Sequence, residues 1–287
     1  MATTIRNPIE WGYDQVRHAV DAVEITGRAV RGRGDIAAPV AIRRVRLADL
    51  WDALEKGIAD FGAARTDVIF LCLLYPVAGL VLGRAVAGSG MFPLLFPLVS
   101  GFALVGPFVA VGLYEMSRQR ENGRDCSWTT AFDVVRAPSF AAIVTLGVVL
   151  TILFLFWLAA AQAIYAVTVG PMQPASAMQF VRDVLTTGRG WALIGAGVGV
   201  GFVFALVVFA ISVVSFPLLL DRDVGLGVAV WTSIRAVIAN PVPMAVWGMI
   251  VTAGLAIGSI PLLLGLMIVL PILGHASWHL YRKVVAS

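Results

Sequence analysis

The sequence predicts an all-α, polytopic membrane protein of about six spans, with short amphipathic helices at the interface arranged as a pseudo-repeat. Three observations carry this expectation. Of the 287 residues, 59% are hydrophobic and only 13% charged, and mean hydropathy is +0.89, whereas soluble domains run at about 25% charged. The apolar residues form continuous runs, near the roughly 20 residues a helix needs to cross the hydrocarbon. A membrane barrel would instead alternate at every second residue, so the runs are helices. Third, one order of residues occurs twice, in FPLLFPLVSGFALVGPFVAVGLYEMSRQRENGRDCSWTTAFDVVR from Phe92 to Arg136 and in VVSFPLLLDRDVGLGVAVWTSIRAVIANPVP from Val213 to Pro243. Each copy has a proline inside an apolar helix, then acid and arginine, then a Trp-led amphipathic turn closed by Pro138 or Pro241.

Taken in order, residues 1–45 read as a basic cytoplasmic tail and residues 46–287 as a single membrane domain. Within the tail, Tyr13 to Ala29 has a loose helical stripe, and RGRGD, Arg31 to Asp35, is a flexible basic linker. From Arg46 a sharper helix is expected. Leu47, Leu50, Trp51, Leu54, Ile58 and Phe61 fall at helical spacing, with Asp49, Asp52, Glu55, Lys56 and Asp60 assigned to the opposite face. That many charges forbid a span and suit a helix lying on the interface.

The expected spans are Asp67–Val86, Pro93–Ser117, Pro138–Val167, Trp191–Leu220, Val242–Gly258 and Ile260–Tyr281. Amphipathic segments begin near Trp51, Trp128, Phe180 and Trp231, with Ser127 a natural N-cap for the second. Pro138 and Pro241 sit where such a segment must stop, because the residue before proline avoids the helical region while proline suits a first turn. Gly195, Gly197, Gly199 and Gly201 have the spacing by which transmembrane helices approach closely, so the expectation there is helix packing. A nucleotide loop would need a preceding strand.

All but Lys56 and Lys283 of the 21 basic residues are arginine. They concentrate in the N-terminal segment, in the loops after the second and fourth spans, and at the C-terminus. With six spans these segments share one side, so the positive-inside rule makes both termini cytoplasmic in a bacterial inner membrane. The net charge of +4 is then a loop property and no sign of nucleic acid. Cys72 lies in an apolar run and Cys126 in a charged loop, which is no disulfide framework.

Two groups compete as a site. Glu115, Arg118 and Arg120 follow one proline-broken helix, and Asp221, Arg222 and Asp223 follow the other. Together they read as a polar cluster at the cytosolic face, or as salt bridges that pin helix ends. His275 and His279, four apart, share a helical face and are the candidates for a metal or haem. No third ligand is visible in sequence, so neither metal nor cofactor is assigned. No residue set has the context of a catalytic motif.

At LFPLVSGFALVGPFVAVGLYEMSR, SFPLLLDRDV, SIRAVIANP and LPILGHASWHLYRK the chain resembles the bacterial integral-membrane family catalogued as domain of unknown function 2189, over roughly Arg43 to Val284. The resemblance implies a six-helix inner-membrane protein without an established activity. The repeat is similar, more distantly, to the membrane domain of glycerophosphodiester phosphodiesterases, whose catalytic domain this chain lacks. The leading expectation is a non-enzymatic accessory or scaffold partner of a membrane complex, in contact with membrane lipids. A small-solute or lipid transporter and a metal- or haem-linked respiratory accessory protein stand beside it.

Overall fold

The computed structural model describes residues 40–63, 77, 79–81, 84, 92–124, 127–137, 139–170, 174, 176–261 and 263–286. Most of the expected tail, most of the expected first span Asp67–Val86, and both cysteines lie outside the described residues. Within them the chain is helical throughout, with no strand and a single isolated β-bridge, Ile42 to Val285.

Among the described residues ten α-helices are delimited: α1 Leu47–Ala63, α2 Leu95–Val109, α3 Val111–Glu121, α4 Phe140–Thr168, α5 Ala177–Thr186, α6 Gly188–Ser212, α7 Ser215–Asp221, α8 Leu226–Ala239, α9 Pro241–Ser259 and α10 Leu266–Val284. Among the described residues four stretches are long and apolar enough to cross a membrane. These are α2 with α3 (Leu95–Glu121), α4, α6 with α7 (Gly188–Asp221) and α9. They bear out the expected spans two to five, each within a few residues. The 34 residues of Gly188–Asp221 would reach about 50 Å if straight, at ~1.5 Å per residue. The break at Val213 and Val214 divides that length. It falls four residues before Pro217, whose ring displaces the carbonyl at that distance. The freed amide of Val214 is satisfied by the Ser233 hydroxyl at 3.1 Å.

The expected sixth span, Ile260–Tyr281, differs. Residues 260, 261 and 263–265 form turns, and Leu263 takes a left-handed φ of 67°. Helix α10 starts only at Leu266, and its second half, HASWHLYRKV, is polar and mostly buried in protein. It is not among the helices apolar enough to cross, because only Leu266 to Gly274 would sit comfortably in hydrocarbon.

In the apolar slab α2 and α6 pack on α4. Gly101 and Gly147 make the seats: a Cβ on the first would lie 2.4 Å from the Phe154 ring, and on the second 2.6 Å from the Phe108 ring. Trp157 fills the same crossing, donating its indole N–H to the Pro97 carbonyl at 2.9 Å. Bulky apolar side chains point outward instead, among them Val148, Leu155, Phe156, Phe202 and Leu206. The glycine run 195–201 does not act as expected. Among the described residues only Gly201 meets a neighbour, the Trp157 ring, while Gly195, Gly197 and Gly199 face open space.

At the polar end, α1 lies along α10 and α3 packs against both α10 and α7. A Cβ on Gly57 would lie 2.7 Å from the backbone nitrogen of Ala276 and 2.8 Å from the Ile272 carbonyl, so the two helices meet almost backbone to backbone. Beside this seam, Arg43 donates to the Val284 carbonyl at 2.7 Å and Ala286 to that of Ala41 at 3.0 Å. Asn240, buried at the junction of α8 and α9, accepts from the Val45 amide at 2.8 Å and donates to the Arg43 carbonyl at 3.1 Å. The start of α1 and the chain's last residues are thus bound to each other and to the α8–α9 corner.

Candidate functional site

The face of α1 that meets α10 is Leu50, Ala53, Gly57 and Asp60, which are buried. These positions recur every three or four residues, so they line one stripe. Asp60 was expected to face solvent with the other charges; it lies on the inner stripe instead. Leu47, Trp51 and Ile58, expected to lie on the interface or against the ends of the spans, are 46%, 67% and 54% exposed. The reason is steric: a backbone-close seam needs small residues, and α1 has them only on the side of Ala53 and Gly57.

Once inside, Asp60 is the centre of a network drawn from three helices. Ser117, on α3, donates its hydroxyl to Asp60 Oδ2 at 2.6 Å. His279, on α10, meets the same oxygen through Nε2 at 2.8 Å. Arg120 donates Nη1 to Oδ1 at 2.7 Å. Burial pushes the Asp60 carboxyl up, but hydrogen bonds from His279 and Ser117 outweigh it and hold the group below the ordinary carboxylate value. An ionised carboxylate only accepts, so His279 Nε2 carries a proton.

His275 joins one step further out, with Nδ1 2.8 Å from Ser117 Oγ. A hydroxyl has one hydrogen, and this one is committed to Asp60. His275 Nδ1–H must therefore be the donor, which leaves Nε2 a lone pair, buried and without a hydrogen-bond partner among the described residues. Asp60, Ser117 and His275 are the residue types of a hydrolytic triad in the wrong order. A nucleophilic serine gives its proton to histidine while the acid holds the far ring nitrogen; here the serine proton lies on the acid.

The expected polar cluster resolves into separate pairs at this same end. Glu115, 1% exposed, accepts from Arg118 at both 2.8 and 2.9 Å, a two-pronged pair, and from Gln119 at 2.8 Å. Asp221 accepts from the Tyr281 hydroxyl at 2.6 Å and lies 3.4 Å from Arg282 Nη1. Arg282 also reaches Glu121 at 3.1 Å, and the Trp278 indole donates to that same carboxylate at 3.1 Å. Arg222 keeps its Nε 3.8 Å from Asp221 and donates to the backbone carbonyl of Ala286, and Asp223 stands exposed. The groups following the two proline-broken helices do gather at one end. Their bridge is Arg282 between Asp221 and Glu121, residues of α10 and α3 that sequence reasoning did not single out.

His275 and His279 share a face, as expected, and each engages the Asp60–Ser117 pair through one ring nitrogen. Among the described residues no group of three or more His, Cys, Asp or Glu side chains is arranged to hold a metal ion. Missing from the sequence-based candidates were Asp60 and Ser117. The signal that could have found Asp60 is its register with Leu50, Ala53 and Gly57.

Between α1, α3 and α10 lies a cavity of about 370 Å³ lined by Lys56, Ala59, Asp60, Ser117, Arg120, Glu121 and His279. It opens beside the polar end of the span Leu95–Glu121.

Residues 95–221 match the model of a family described as "Predicted integral membrane protein (DUF2189)". The resemblance read from sequence is matched there; the stretches SIRAVIANP and LPILGHASWHLYRK fall beyond it. No curated protein and no solved structure matches the chain.

Proposed function

We propose that this integral membrane protein is a non-enzymatic accessory or scaffold partner of a membrane protein complex, and that it docks through the outer face of α1. One observation carries the reading. Leu47, Trp51 and Ile58 stand exposed on a helix whose other side is fixed to α10. Trp51 is the kind of large, stiff side chain that anchors protein contacts. The charged Glu55 and Lys56 beside it, also exposed, supply a polar rim.

The orientation follows as part of the proposal. Arg120, Arg282 and Lys283 all pair at the α1–α10 end, and so much arginine on one side favours the cytoplasmic face of a bacterial inner membrane. Both termini would then be cytoplasmic.

The test is native mass spectrometry of the protein extracted gently from its own membrane, with a visible spectrum of the same sample. A defined complex lost on Trp51→Ala is the expected result. A lone, colourless chain carrying tightly held lipid or solute would replace this reading with transport or lipid handling. A visible band lost on His275→Ala would replace it with the redox reading.

A further inference from the structure

We propose that the cavity between α1, α3 and α10 is a binding site for a phosphate group, carried by a lipid headgroup or free in solution. The chemistry follows from which hydrogen-bonding capacity remains unused. The acids of the wall are occupied from within the protein: Asp60 by Ser117, His279 and Arg120, and Glu121 by Arg282 and Trp278. Ser117 has given its hydrogen to Asp60. What remains is donor capacity on two cations that line the same cavity from different helices.

Among the described residues Lys56 pairs with Asp52 alone, at 3.1 Å, and its side chain is 54% exposed. Arg120 spends Nη1 on Asp60 and, among the described residues, keeps Nη2 and Nε, on a side chain 42% exposed. A cation would find every carboxylate oxygen of the wall already accepting a hydrogen bond from the protein. A tetrahedral oxyanion would find an ammonium and a guanidinium edge, the pair of donors that suits phosphate.

Size and position agree. Ligand pockets run from about 300 to 1,000 Å³, and 370 Å³ is at the small end, enough for a headgroup but not for acyl chains. Arg120 and Glu121 end the helical stretch Leu95–Glu121, the level at which headgroups lie. Of the face proposed to dock, only the rim residue Lys56 lines the cavity; Leu47, Trp51 and Ile58 do not.

The experiment is native mass spectrometry and thermal unfolding of the full chain in neutral detergent, with short-chain phosphatidic acid, the matching diacylglycerol or inorganic phosphate added. Phosphatidic acid and diacylglycerol differ only in the phosphate. Stabilisation and retained mass with phosphatidic acid but not diacylglycerol, weakened roughly tenfold by Lys56→Gln, support the site; tenfold is the worth of about one charge-assisted hydrogen bond. Lys56→Gln is the chosen variant because Lys56 lies outside the buried network, so folding is preserved. Arg120→Gln, compared with Arg120→Lys, is the second. Equal effect from inorganic phosphate identifies the free anion as ligand, and an effect of phosphatidic acid alone identifies the headgroup. Binding equal for diacylglycerol, binding unchanged in both glutamine variants, or no binding by any probe overturns the proposal.

Discussion

The α1–α10 seam and the α2–α4 crossing both rest on glycine, yet they use it differently. At the seam, Gly57 lets backbone meet backbone, at Ala276 and Ile272. Polar side chains gather alongside, with Asp60 drawing in Ser117, His279 and Arg120. At the crossing, Gly101 and Gly147 receive rings, Phe154 and Phe108, and among the described residues the one long-range polar contact is the Trp157 indole on the Pro97 carbonyl. The outer surfaces differ as well. Around the seam there are charges, and around the crossing there are Leu155, Phe156 and Phe202. Lipid is as apolar as leucine, so the slab cannot sort inside from outside by hydrophobicity and relies on shape. The seam faces water and can rely on charge complementarity, at the cost of needing every buried polar group matched.

The comparison breaks most readily at Asp60. Asp60→Ala leaves Arg120, His279 and Ser117 without their acceptor. Removing one partner of a buried ion pair costs 3–5 kcal/mol; with Arg120 partly exposed, about 3 kcal/mol is expected, read as a lowered midpoint of thermal unfolding in detergent. The pH dependence carries the same signature. A carboxyl held below its unfolded value of about 3.9 stabilises the fold above that value and loses its contribution as pH falls through the lower folded value. The wild-type chain should therefore lose stability relative to Asp60→Ala below about pH 4, and the two acid profiles should converge. Parallel profiles would remove Asp60 from the centre of the network.

Next comes Gly57→Leu, which forces the seam apart. Overpacking costs about 1–3 kcal/mol, and protease cleavage within α1 should rise with it; an unaltered digest would mean that α1 does not sit on α10 as described. In the slab, Trp157→Phe keeps the ring but removes the hydrogen bond to Pro97, and such bonds in membranes are worth about 0.6 kcal/mol on average. The midpoint should fall slightly. The smallest effect belongs to Phe202→Ala. Its ring is 65% exposed to what we read as lipid, and a shift within about 0.5 kcal/mol is expected. A large loss would place a protein partner on that face.

Which parts of this were legible in sequence follows the same division. The spans were readable because an apolar run long enough to cross is a property of composition. The helix breaks were readable because Pro217 and Pro241 act locally. The inward turn of Asp60 was not, because α1 is apolar on two sides. Periodicity alone ranks Leu47, Trp51 and Ile58 above Ala53 and Gly57, although close packing selects the small ones. The run from Gly195 to Gly201 failed for the converse reason: small residues permit close approach without requiring a neighbour. The histidine pair was visible, but its partner Asp60 lies 219 residues from His279, beyond the reach of any local pattern.

That separation also sets a timetable. A ribosome adds about 5–20 residues per second, so some 10–40 seconds separate the making of α1 from the making of α10. During that interval the small-residue stripe of α1 and its lone carboxylate have no seat. The tie between Arg43 and Val284 cannot form until the last turn of the chain has emerged. Assembly of this end is therefore a post-insertion event: the spans can enter the bilayer in order, while α1 waits outside for α10 to close over it. A chain arrested before Leu266 should leave α1 open to protease while the spans are already protected.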